Sequence, residues 1–196
     1  MAEGLVRVVA WVRLGTADRL TALVDGERAR RWLLVADDPR WDDSGLSGAE
    51  RARVKLARVA WLAGLRERGE LLDTAAAVLA LGVRAELAER GWDHDWPAAP
   101  ETAVSGRWPG ARAQGFPERI GANLSAGLVE RVRAACWHSS PIADLRAFRD
   151  AFPGLLTGRE LREYEELAAR VVTPGDIWRA GYQRVLWPDQ GGAETR

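Results

Sequence analysis

Residues 47–91 read SGAERARVKLARVAWLAGLRERGELLDTAAAVLALGVRAELAERG, and this stretch decides the fold class. Ser47 and Glu50 have capping-box spacing, in which each side chain satisfies a free backbone N–H of the other at a helix start. Behind them Val54, Ala57, Trp61, Leu62 and Leu65 recur at helical spacing, so a helix is predicted to run to about Arg68. Gly69 interrupts it. Leu71, Leu72, Ala75, Val78, Leu79, Val83 and Leu87 then form the stripe of a second helix over about 70–90, and Gly91 suits its C-terminal cap. A short link between two long helices implies an antiparallel hairpin.

Upstream, residues 5–14 (LVRVVAWVRL) alternate: Val6, Val8, Ala10, Val12 and Leu14 share one apolar face, opposite Arg7 and Arg13. That is a strand pattern. Asp25-Gly26 is a tight-turn signal, so further strands are expected near 20–24 and 28–36, completing a three-stranded meander. The competing reading makes 17–24 a short helix capped by Thr16. The acidic, turn-rich residues 37–45 connect this unit to the hairpin.

Downstream, residues 91–123 lose all periodicity. They hold Pro97, Pro100, Pro109 and Pro117 together with Trp92, Trp96 and Trp108. Disordered segments are poor in aromatics, so an ordered loop is expected. The last third is helical. Stripes begin near Ser125, after Pro141, after the capping-box-like Thr157-Gly158-Arg159-Glu160, and after Thr173-Pro174. The expected architecture is α+β, mainly α: a helical bundle-like domain with a small N-terminal antiparallel β-meander. One domain spans 1–188, with the meander at 5–36, the hairpin at 48–90, the Trp/Pro loop at 91–123 and helices at 124–187. Residues 189–196 form a small polar tail, expected to be flexible.

Ten tryptophans in 196 residues accompany one lysine, Lys55, among 28 basic side chains. Formal net charge is zero, so no overall basic field draws the chain to nucleic acid or an anionic membrane. The N-terminal residues MAEGLVRVVAWVRLG read as neither signal peptide nor membrane span, with Arg7 and Arg13 inside a short apolar run. The single cysteine, Cys136, excludes an internal disulfide framework and fits a reducing cytoplasm.

Three constellations carry chemistry. Gly91-Trp92-Asp93-His94-Asp95-Trp96-Pro97 puts His94 between two carboxylates and two indoles, just past a helix end. Imidazole and carboxylate suit several divalent metals, so Asp93, His94 and Asp95, with His138 as distal partner, make a candidate metal or acid–base site. The plain alternative is a turn whose indoles pack down. Cys136-Trp137-His138-Ser139 holds a thiol and an imidazole, but residues two apart on a helix face different ways, so the pair is no dyad. Arg51, Lys55 and Arg58 form a basic stripe that, with Arg30 and Arg31 nearby, is a candidate phosphate contact. Leu81-Gly82-Val83 resembles a helix-turn-helix turn, but Gly82 lies inside a continuous stripe and no polar recognition helix follows.

No Walker loop, dinucleotide fingerprint, GxSxG elbow or HExxH pair occurs, and no cofactor is expected. The leading expectation is a non-enzymatic interaction module, an adaptor, regulator or accessory subunit. It would bind a protein partner through Trp/Arg-rich surface that includes Trp92, His94, Trp96 and Trp108, since Trp and Arg dominate binding hot spots. Alternatives are a nucleic-acid-binding accessory protein using the basic stripe, and a small enzyme or metal-binding protein built around Asp93, His94 and Asp95.

Overall fold

The computed structural model describes residues 4–100 and 115–188. Trp108, the middle of the expected Trp/Pro loop and the tail 189–196 lie outside the described residues. Two strands, Leu5–Val12 (β1) and Glu118–Ser125 (β2), pair antiparallel from Leu5 opposite Ser125 to Val12 opposite Glu118. Seven α-helices occur among the described residues. They are Thr16–Ala36 (α1), Gly48–Glu67 (α2), Ala75–Glu89 (α3), Ala126–Ser139 (α4), Ile142–Ala151 (α5), Gly158–Ala169 (α6) and Pro174–Leu186 (α7). The fold is α+β and mainly α, with a small N-terminal antiparallel sheet.

The sheet is not the expected meander. Residues 16–36 form one 21-residue helix instead of strands at 20–24 and 28–36. Asp25-Gly26 lies inside that helix, and Gly26 lacks the positive φ that a tight hairpin turn needs. The segment is rich in Ala, Leu, Arg and Glu, which are strong helix formers, and Thr16, Leu20 and Val24 bury one face at four-residue spacing. The helical alternative for 17–24 is therefore the correct branch, but the helix extends to Ala36 and Thr16 does not cap it, its hydroxyl donating back to Arg13 O.

The partner of β1 comes instead from the segment expected to be loop. Ile120, Ala122 and Leu124 alternate inward, opposite Arg119, Gly121 and Asn123. From β2, Glu118 also caps α1: its carboxylate oxygens accept from Gly15 N at 2.7 Å and Ala17 N at 2.9 Å. α1 has no side-chain cap of its own, so the strand supplies it.

The helical hairpin needs a second correction. α2 begins with the expected capping box of Ser47 and Glu50. Gly69, at φ 73, ends it. The next helix starts at Ala75, where the Thr74 hydroxyl accepts from Ala77 N, and not at residue 70. Its principal partner is α7, not α2.

The reason is a glycine contact. A Cβ on Gly82 would stand 1.9 Å from the Gly181 carbonyl oxygen, and one on Gly181 would stand 2.9 Å from Val83 Cγ2. The two backbones touch where neither residue has a side chain. One turn along, buried Glu86 locks the same pair, accepting from Arg90 Nε at 2.6 Å and Arg184 Nη2 at 2.7 Å.

The main core gathers around this crossing. Val8, Ala10 and Val12 of β1 and Ile120 and Leu124 of β2 lie over Val78, Val83, Ile177 and Tyr182. Leu20 and Val24 of α1 and Val129 and Val132 of α4 complete it. A smaller cluster of Ile142, Leu145, Ala168 and Val171 joins α5 to α6. The Ser140 hydroxyl ties it in, donating to Val172 O and accepting from Val172 N. Thr173 and Asp176 form a capping box at the start of α7, whereas Thr157 makes no side-chain cap for α6. Among the described residues, no helix is long and apolar enough to cross a membrane.

Replacing Gly82 by Ala is expected to destabilise the protein by about 3 kcal/mol or more, because overpacking here meets backbone. Gly26→Ala, which meets nothing within 4 Å on exposed α1, should instead stabilise by about 0.5–1 kcal/mol. Urea unfolding of the two variants measures both. Equal effects would show that the crossing is looser than described.

Candidate functional site

α3 ends as expected at Gly91, where φ is 68 and the N–H of Trp92 reaches back to Leu87 O at 2.7 Å. The chain then folds onto itself. Trp96 Nε1 donates to Trp92 O at 3.2 Å. Nδ1 of His94 bonds Gly91 O at 3.0 Å, and Nε2 of His138 bonds Pro97 O at 3.0 Å. A carbonyl only accepts, so each of those nitrogens carries the hydrogen.

Both histidines rest against one indole. The His94 and Trp96 rings lie 4.1 Å apart, and the His138 ring stacks on Trp96 at 5.9 Å with an interplanar angle of 2°. His138, expected as a distal partner of His94, thus lies on the same indole, but no direct contact joins the two imidazoles among the described residues. Among the described residues, no group of three or more His, Cys, Asp or Glu side chains is placed to hold a metal ion.

Trp92 and Trp96 are half-buried and packed on the main core, while Asp93, His94 and Asp95 are exposed. An open recess of about 320 Å³ lies beside them, bounded by His94, Asp95, Trp96, Glu130 and Arg131. The Trp96 indole N–H and one nitrogen of each imidazole are engaged within the chain. The nearby thiol supplies no nucleophile. Cys136 is fully buried, and burial pushes its thiol far above the usual range.

The basic stripe is divided by its surroundings. Arg30 donates to Glu27 and to Glu70 O, and Arg31 pairs with Asp73 at 2.8 Å. Arg58 lines an open cleft of about 430 Å³ whose walls include Asp37, Asp38, Asp42 and Asp43. Arg51 and Lys55 are exposed and form no ion pair among the described residues.

A third surface was missed by reading the sequence. α1 and α2 together bury only Thr16, Leu20, Val24 and Leu65. Their far ends form an arm held by polar and aromatic clasps. Asp73, fully buried, accepts from Arg66 Nε at 2.6 Å, Arg66 Nη2 at 2.8 Å and Arg31 Nη1 at 2.8 Å. Burial pushes this carboxyl up, but the two guanidinium groups outweigh it and hold its pKa below the ordinary value. The Glu27 carboxylate accepts from Leu72 N, and the Trp41 and Trp61 rings meet at 5.3 Å beneath the Arg40 guanidinium.

With the inner face so occupied, each helix turns a second apolar stripe outward. On α1 this is Ala29, Trp32, Leu33 and Ala36; Trp32 is 68% exposed and Leu33 54%. On α2 it includes Leu56, 69% exposed, and Val59, 54% exposed. The signal was available. Both helices carry apolar residues on two opposite faces, which a lone surface helix does not do.

Comparison with protein-family models, with curated proteins and with solved structures gives no match. The chemistry of these surfaces is therefore the ground on which a function rests.

Asp73→Asn should destabilise the chain by about 3 kcal/mol at neutral pH, since it leaves two guanidiniums facing a neutral amide. A carboxyl with a depressed folded pKa stabilises above its unfolded pKa, and that contribution is lost as pH falls through the folded value. Wild-type stability should therefore drop below about pH 4, and the drop should be shallower in Asp73→Asn. Urea midpoints across that range test this, and identical pH profiles would refute the role given to Asp73.

Proposed function

We propose that this chain is a non-enzymatic interaction module, an adaptor or accessory subunit that binds a protein partner through the outer face of α1. The observation that carries this reading is Trp32, a large indole left 68% exposed on a helix whose inner face is already occupied. Leu33 beside it and Ala29 and Ala36 one turn away continue the stripe, and Arg28 stands at its edge. An exposed indole beside arginine is the pairing that binding hot spots favour. Contiguous apolar surface on a folded chain marks interaction sites more often than scattered exposure does.

The recess beside Trp96 is the weaker support for the same reading, because the Trp96 indole N–H and one nitrogen of each imidazole are already engaged within the chain. Nucleic-acid binding draws less support, with Arg30 and Arg31 paired and Arg58 beside four aspartates. A reducing, cytoplasmic setting suits the role, given one buried free thiol, Cys136.

A photo-crosslinking residue at position 32 should trap one discrete protein in cells of the source, and the same residue at exposed Ala147 should not. Leu33→Glu should abolish that adduct and weaken binding of the purified partner by about tenfold or more, without lowering thermal stability. The same adducts from both positions, or none at position 32, would defeat the proposal.

A further inference from the structure

The outer face of α2 has a different character from that of α1. Ala49, Ala52, Leu56, Val59 and Ala63 follow one another at spacings of three and four, the seam of a helix that pairs with another helix. All five are exposed. Their sizes run small, small, large, large, small, and this order is nearly unchanged when the helix is reversed.

We propose that this seam is filled by a second copy of the chain, with the two α2 helices antiparallel about a two-fold axis between Leu56 and Val59. Leu56 of each copy then packs on Val59 of the other, and Ala52 packs on Ala63. The interface is isologous, as closed dimers require. Alanines on both sides of the central pair let the helix axes approach closely along a helix about 30 Å long.

Charge favours the same orientation. One edge of the seam carries Arg53, Ala60 and Glu67 at seven-residue spacing. Reversal brings the Arg53 end of one copy toward the Glu67 end of the other. It also sets Glu67 beside the positive N-terminal end of the second helix dipole. Parallel pairing would place Arg53 and Lys55 of both copies at the same level and align the dipoles unfavourably. A foreign acidic helix would suit the basic edges but has no need of the size symmetry.

This inference uses a different face from the partner-binding surface of α1 and stands without it. Sedimentation of the full chain over the micromolar range should show a monomer–dimer equilibrium. Leu56→Glu should weaken it by about tenfold or more while circular dichroism stays unchanged, because the side chain is exposed. Arg53→Glu should weaken the dimer, and Arg53→Glu combined with Glu67→Arg should restore it.

Mixing Ala52→Cys chains with Ala63→Cys chains should give a mixed disulfide dimer on oxidation, while neither chain alone should crosslink efficiently. Cys136 is buried and takes no part. A monomer at every concentration, a dimer indifferent to Leu56→Glu, or crosslinking of Ala52→Cys alone would overturn the assignment. So would saturable binding of a synthetic Leu/Glu heptad peptide to a monomeric chain through this face. A Leu56→Glu monomer that still crosslinks its partner from position 32 would keep the two surfaces distinct.

Discussion

Gly82 and Gly181 have no side chains, and their backbones meet. From that contact follows the pairing of α3 with α7, which sets the floor on which both strands lie. Val8, Ala10 and Val12 reach down onto it from β1, and Ile120 and Leu124 from β2. Glu86 then reinforces the crossing with two arginines. Burial drives its carboxyl up, but Arg184 and Arg90 outweigh that and hold its pKa low. The contact is intolerant because the atom facing each missing Cβ belongs to backbone or to a stiff valine, which cannot rotate away.

Much of the helical part was legible because helix ends announce themselves locally. Ser47 with Glu50, Thr173 with Asp176, and Gly91 each solve the problem of unsatisfied backbone groups using residues within a turn. What remained hidden was non-local. β2 carries Gly121 and Asn123, which weaken its strand signal, and it pairs with a strand more than a hundred residues earlier in the chain. Gly82 resembled the turn of a helix-turn-helix motif in sequence, and its role shows only with Gly181 placed against it. Asp25-Gly26 misled because a turn signal acts only when the flanking runs prefer strand, and here they are helix formers.

The candidate surfaces divide along the same line. The cluster at Trp92, His94 and Trp96 was visible as an oddity of composition, and His138 does join it. Part of its chemistry is internal, because Trp96 Nε1, His94 Nδ1 and His138 Nε2 each meet a nearby carbonyl. The arm was invisible because its significance lies in what fails to bury it. Leu56 and Val59 looked unremarkable beside the inward stripe of Val54, Trp61 and Leu65. Only the position of α2, held near its C-terminal end by Asp73 and Leu65, shows that its other face is covered by none of the described residues.

The molecule therefore joins a centre built on a backbone contact to a thinly anchored arm whose outer apolar faces are exposed. Amide hydrogen exchange of the dilute chain tests this most directly, because protection reports how much structure must open at each residue. Amides of α3 and α7 near Gly82 and Gly181 should exchange only with global unfolding, while those of α2 before Leu65 should exchange much faster. Protection of α2 equal to that of α3 in the dilute, monomeric chain would contradict the account.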